Sequence, residues 1–289
     1  GNRKAPSAVR RLSMSILGYW RRILGRRDEP ASAMQEDTSD PELRPGAELP
    51  PGLIVYAVGD IHGRSDLLSE LEARIAADAA SRPAERRLIV YLGDYVDRGP
   101  DSRGVVDRLL EGPPAGFDAV HLRGNHEDFL LRFLEDDSIG RAWLMNGGDA
   151  TLESYGVLPS SGVPDEAPIA VLQREFRRLL PPRHLGFLRG LRLRHRAGSY
   201  VFVHAGIRPG IPLDAQIDDD LMWIRDDFLY STADHGAVVV HGHSIRLEPE
   251  RLRNRIGIDT GAYASGRLTA LVLEEAAGGV RERFLATGR

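Results

Sequence analysis

The 289 residues include no cysteine. That absence removes a thiol nucleophile, a disulfide framework and a cysteine-ligated zinc site together. Phosphate removal through a cysteinyl-phosphate intermediate is excluded, and any metal must be held by His, Asp, Glu or Asn. No apolar run reaches the ~18 residues of a membrane span. Lysine is nearly missing as well: Lys4 is the only one among 38 basic residues. What remains is ordinary for a soluble globular chain, with 42% hydrophobic and 28% charged residues. The length allows one large domain with a substantial core.

The net charge of −4 conceals an asymmetry. Residues 1–27 carry eight basic side chains and no acid (+8), which leaves about −12 on residues 28–289. An acidic body lacks the basic footprint that nucleic-acid binding requires. Between Ala8 and Leu24 the pattern is helical, with Val9, Leu12, Ile16, Tyr19, Trp20 and Ile23 on one face and Arg10, Arg11, Arg21 and Arg22 on the other. Such a basic amphipathic segment, residues 8–27, reads as a contact with a membrane surface or a partner protein. A helix packed on the body or an unstructured tail is the plainer alternative. Arginines interrupt the segment at both ends, so it lacks the apolar core of a signal peptide. A cytoplasmic protein, peripheral at the inner membrane face, is the expected location. Asp28 to Pro51 is linker by composition. The expected organisation is therefore a flexible N-terminal segment and linker, 1–50, followed by one catalytic domain, 51–289.

From Leu53 onward, strand and helix signals alternate. Strands are predicted at Leu53–Val58, Arg87–Leu92 and Ala119–Leu122, and helices at Ser65–Ala80, Ser102–Glu111 and Glu127–Leu134. This alternation implies parallel strands covered by helices. The stretch 137–190 reads as helical and loop-rich. The last third is richer in strands, at Tyr200–Val203, Val238–Val240, Arg255–Ile258, Leu268–Leu273 and Val280–Phe284. The class is α/β, with a β-rich second half and no internal repeat.

Five clusters share one pattern, in which an apolar strand ends and a knot of polar residues and glycine follows. They are Gly59-Asp60-Ile61-His62-Gly63, Gly93-Asp94-Tyr95-Val96-Asp97-Arg98-Gly99, Arg123-Gly124-Asn125-His126-Glu127, His204-Ala205-Gly206 and His241-Gly242-His243. Any one of them alone reads as a turn, a helix cap or a structural histidine. Five at successive strand ends do not, because sites in open α/β sheets lie beyond the carboxyl ends of strands. Mixed carboxylate and imidazole donors suit a pair of divalent ions, Mn, Fe or Zn rather than Ca. A carboxylate can bridge two ions about 3.5–4 Å apart, and a water shared between them ionises near neutral pH and attacks phosphorus in line.

In this order the clusters resemble the signature of the PPP family of metallophosphatases, in its bacterial and bacteriophage-lambda type. The match runs from Val58 to His243. The resemblance implies a calcineurin-like fold, a central β-sandwich flanked by helices (α/β/β/α), with a two-ion centre. It implies Asp60 and His62 as ligands of the first ion, Asp94 as the bridge, and Asn125, His204 and His241 as ligands of the second. His126 is similar to the family's general acid, with Asp97 orienting it. Arg98 and Arg123 would hold phosphate oxygens, and Arg225 is the candidate for a third phosphate-binding arginine. His243 stays open between orienting His241 and a structural role. Asn146-Gly147-Gly148, with Thr151 and Tyr155, resembles a segment that shapes the cleft. Ile258 to Tyr263 resembles the C-terminal loop near the site. One departure stands out: the SAPNY-type loop of eukaryotic members is absent, and Gly261–Gly266 stands in its place.

The activity so implied is metal-dependent phosphomonoester hydrolysis, most specifically of phosphoserine and phosphothreonine in proteins or peptides, with manganese the expected metal. Asp97-Arg98 and Gly124-Asn125-His126-Glu127 favour this over diadenosine tetraphosphate hydrolysis, whose enzymes look similar but usually vary both clusters. A degenerate phosphate-binding or scaffold module would lack a ligand or His126, and none is missing.

Overall fold

Apolar side chains on both faces of a strand require a layer on each side, and the strands that follow Leu53 have them. The computed structural model describes residues 42–157 and 168–288. They form two sheets. The first has six strands, in the spatial order β1 (Glu42–Pro45), β11 (Gly279–Ala286), β10 (Thr269–Ala276), β2 (Leu53–Val58), β3 (Arg86–Tyr91) and β4 (Asp118–His121). β2, β3 and β4 are parallel, and α1 (Ser65–Ala80) and α2 (Ser102–Glu111) connect them. The second sheet has five, in the order β5 (Arg194–Ala197), β6 (Tyr200–Val203), β7 (Val238–His241), β9 (Arg255–Gly257) and β8 (Glu250–Arg251). Its three central strands are parallel and its edges antiparallel.

Side chains alternate between the faces of a strand, and this sorts the core into three layers. Ile54, Tyr56 and Val58 face the helices, where they meet Leu68, Leu71 and Ile75 of α1. Val55 and Ala57 face the second sheet and meet Phe202, Val240 and Ile256. On the far side of the second sheet, Val201, Val203 and Val239 pack against Leu221, Ile224 and Phe228. The result is helices, sheet, sheet and a thin outer layer, the sandwich that the resemblance implied. The helical layer is completed by α3 (Asn125–Glu135), α4 (Ile169–Leu179) and α5 (Pro182–Arg189). Local chemistry sets the helix starts. Asp101 accepts the Gly104 N–H (2.9 Å) ahead of α2, and Pro182 opens α5 where no N–H partner is needed.

The predicted elements at 53–58, 65–80, 102–111 and 200–203 have the observed bounds, and the others differ by up to three residues at an end. The linker reading needs correction at its end. Glu42–Pro45 pairs with β11, Arg44 is paired with Glu282, and Leu49 is buried between the sheets. Pro45 lacks an N–H, which an edge strand tolerates. Composition alone cannot register a strand whose stability comes from a partner more than 200 residues away. The amphipathic segment expected at residues 8–27 lies outside the described residues. No helix among them is long and apolar enough to cross a membrane.

Candidate active site

All five clusters follow strands that end at one edge of the sandwich, the first three after β2, β3 and β4 and the others after β6 and β7. The loop after β3 is tied to the loop after β2. Asp94 O accepts the N–H groups of both Ile61 and His62 (3.1 and 2.8 Å). Glu127, in the first turn of α3, is fully buried and clamps the same loop. Its carboxylate accepts from the backbone N–H of Asp94 (2.9 Å), Tyr95 (2.7 Å), Val96 (3.3 Å) and Gly124 (2.9 Å). The start of α3 is thereby pressed onto Asp94, whose Oδ1 accepts the His126 N–H (3.1 Å). The N–H groups left unpaired at a helix N-terminus favour such an anion.

Asp94 lies between two groups of donors. One ligand atom each from His62, Asp94 and His126 falls within a 4.8 Å cluster, and one each from Asp94, His204 and His243 falls within another. Its two oxygens divide the work: Oδ2 is 3.4 Å from His62 Nε2, and Oδ1 is 3.4 Å from His204 Nε2. The imidazoles are oriented from behind. His62 Nδ1–H donates to Val96 O (2.9 Å) and His204 Nδ1–H to Leu92 O (3.0 Å). Both Nε2 atoms therefore present lone pairs, the usual outer support of a metal ligand. His204 Nε2 also faces Asn125 Oδ1 at 2.9 Å. Two acceptors at that separation repel unless a cation lies against both. Asp60 accepts the His243 N–H (3.2 and 3.0 Å).

Electrostatics separates the histidines. Burial, joined by Arg98 and His126, pushes His62 well below its ordinary pKa. Burial likewise lowers His204, and together with His204 and Arg225 it holds His243 well below. These three are neutral and have a lone pair to give. His126 goes the other way. Burial lowers it, but the Asp94 and Asp97 carboxylates outweigh that and raise it. Burial, followed by the charges of Asp259 and Asp94, raises Asp60 well above the carboxylate range. Asp259 is raised to about 6, with burial again the first cause. Three buried carboxylates and neutral imidazoles, with Arg98 as the nearby cation, form a site short of positive charge. Its residues fit divalent cations.

Not every expected residue takes its assigned place. His243, not His241, joins Asp94 and His204. His241 ends β7 on the face that points outward, its ring 5.1 Å from Phe228. The chain then turns through His243, whose φ of 60° returns its ring to 5.0 Å from that of His204. Its buried Nε2 has no hydrogen-bond partner. Strand alternation is the physical reason for the exchange. Arg98 donates to His62 Nε2 (2.8 Å); that lone pair can serve Arg98 or an ion, not both. Arg225 reaches His243 O (3.4 Å). Arg123 instead turns to Arg189 O (3.3 Å).

Three contributions were not assigned from sequence. Glu127 was part of a cluster but had no role. Asp259 follows β9 just as the clusters follow their strands, and that repeat of the pattern could have found it. Trp143 had no local signal; it donates to Asp97 Oδ2 (2.8 Å) from a helical insertion.

A carboxylate shared between two groups of imidazole donors at strand ends makes a candidate two-metal centre. The chain belongs to the calcineurin-like phosphoesterase family, whose pattern matches residues 53–262. Serine/threonine-protein phosphatase 1 of Salmonella typhimurium is 31% identical over 223 residues, covering 74% of this chain and 89% of that protein. Bis(5′-nucleosyl)-tetraphosphatase PrpE of Anoxybacillus flavithermus is 28% identical over 242 residues, covering 76% and 90%. The solved structure of a cold-active protein tyrosine phosphatase superposes with a TM-score of 0.49 at 18% identity, covering 82% of this chain and 81% of that one.

Proposed function

We propose that the chain removes phosphate from serine and threonine side chains of proteins, with two divalent cations, manganese first among the Mn, Fe and Zn that the mixed donors suit. Asp60, His62 and Asp94 would hold one ion, and Asp94, Asn125, His204 and His243 the other. When bound, such a pair supplies Lewis acidity and an activated water nucleophile.

The observation that carries the substrate reading is His126. Its Nδ1–H is held by Asp97 Oδ2 (2.7 Å), and its buried Nε2 has no partner and points into the donor cluster. Asp97 behind Nδ1 stabilises the protonated imidazole, whose Nε2–H would face the cluster, and this suits a general acid. A serine or threonine alkoxide leaves only when protonated, so a phosphomonoester of an alcohol needs such a residue. A nucleotide phosphate leaves as a stabilised anion and needs it far less. Arg98 and Arg225 border the cluster and offer forked donors to phosphate oxygens. The Salmonella relative supports the protein substrate. The PrpE relatives support the second reading, cleavage of dinucleoside tetraphosphates at the same centre.

The test is the initial rate on a phosphoserine peptide and on diadenosine tetraphosphate, after chelation and after manganese is restored. The reading expects faster, manganese-dependent phosphate release from the peptide. Preference for the dinucleotide would overturn it in favour of the second reading. In the same assay His126→Asn should cost about 10²–10⁴ on the peptide.

A further inference from the structure

We infer that Trp143 and Thr151 are positioning residues for the proton donor and act on His126 through Asp97. The inference rests on the reading of His126 as the leaving-group acid.

Asp97 is fully buried at a left-handed φ of 71°. Its Oδ2 accepts both His126 Nδ1–H (2.7 Å) and the Trp143 indole N–H (2.8 Å). Its Oδ1 accepts the Thr151 hydroxyl (2.6 Å). A hydroxyl has one proton, so the Thr151 oxygen can only accept its other contacts. These are the Asp97 N–H (2.9 Å) and the Ser102 hydroxyl (2.9 Å). Ser102 Oγ accepts the Asp97 N–H as well (3.0 Å). The carboxylate is thus pinned at both oxygens and at its own backbone, which leaves one direction in which it can hold the imidazole.

The pins come from the insertion between α3 and α4. Trp143 closes a short helix, and the single wide turn that follows, Leu144–Gly148, brings the chain back over the Asp97 loop. Two glycines make that approach possible. Gly147 has φ 99°, its O accepts the Arg98 N–H (3.0 Å), and a Cβ there would stand 2.7 Å from Arg98 Cγ. A Cβ on Gly148 would overlap the indole of Trp143. Packing alone does not account for the polar atoms. The Trp143 ring is tilted against Phe133 and Phe176, at 4.7 and 5.8 Å, and a phenyl group would keep most of that contact. The indole N–H and the Thr151 hydroxyl do what a phenylalanine and a valine cannot: they fix a charged acceptor.

The test compares an ester that needs a proton on its leaving group with one that does not. Thr151→Val, Thr151→Ser, Trp143→Phe and His126→Asn are assayed as manganese-loaded full chains on a phosphoserine peptide and on p-nitrophenyl phosphate. His126→Asn is the reference and must lose far more on the peptide. Thr151→Val and Trp143→Phe should each lose about ten- to a hundredfold in kcat on the peptide, the usual weight of one hydrogen bond to a charged group. On p-nitrophenyl phosphate they should stay within a fewfold of the unaltered chain. Thr151→Ser should restore the peptide rate, and metal content should be unchanged. Equal losses on both esters in Thr151→Val would overturn the inference while His126 keeps its role. No contrast in His126→Asn would remove the acid assignment itself, and the inference with it.

Discussion

Five residues other than glycine hold a left-handed backbone among the described residues: His62, Asp94, Asp97, Arg98 and His243. Each conformation is strained for a side-chain-bearing residue and persists where its surroundings over-determine it. All five belong to the clusters that the sequence singled out. Asp94 shows how the strain is held, with its carbonyl taken by two N–H groups and its own N–H by Glu127. Residue types and their order were legible from sequence. Which of two neighbouring histidines points inward was not, because Val238, Val239 and Val240 are apolar on both faces of β7 and give no sign of which face His241 takes. The exchange is testable by calorimetric titration with manganese. His243→Ala should weaken one ion by more than the ~10–100-fold typical of an outer partner, and His241→Ala should stay within that range. The reverse ranking would restore His241 as the ligand.

At the scale of elements, legibility followed periodicity. β2 was bounded correctly because it is an unbroken apolar run buried on both faces, and α1 because its apolar residues recur at the helix period along one buried face. β1 has no such signal. Its acid- and proline-bearing sequence is held by β11 and by Arg44 against the buried Glu282, which also accepts the Tyr200 hydroxyl (2.8 Å). A chain lacking residues 1–41 is the reference for the urea midpoint of unfolding. Removing residues 1–50 also deletes β1, Arg44 and Leu49, and should cost on the order of 2–5 kcal/mol, the range for losing a buried leucine, since Arg251 still faces Glu282 (3.2 Å). Equal stability of the two truncations would mean that β1 is dispensable. The insertion carrying Trp143 was legible as helical, but its contact with Asp97 was not, since it joins segments 46 residues apart.

At the scale of the molecule, the site belongs to neither half of the chain. The first sheet supplies Asp60, His62, Asp94 and, through the start of α3, Asn125 and His126. The second supplies His204 and His243. Sequence showed five strand ends with the right chemistry, and the meeting of the two sheets at one edge makes them a single site. At the site Asp94 joins the two halves, with one oxygen toward each group of imidazoles. The most direct measurement is therefore the number of divalent ions bound per chain, by elemental analysis, in the unaltered protein and in Asp94→Asn. A bridging carboxylate predicts two ions per chain and their loss together in the variant. One ion in the unaltered protein, or loss of only one in Asp94→Asn, would contradict the two-ion centre.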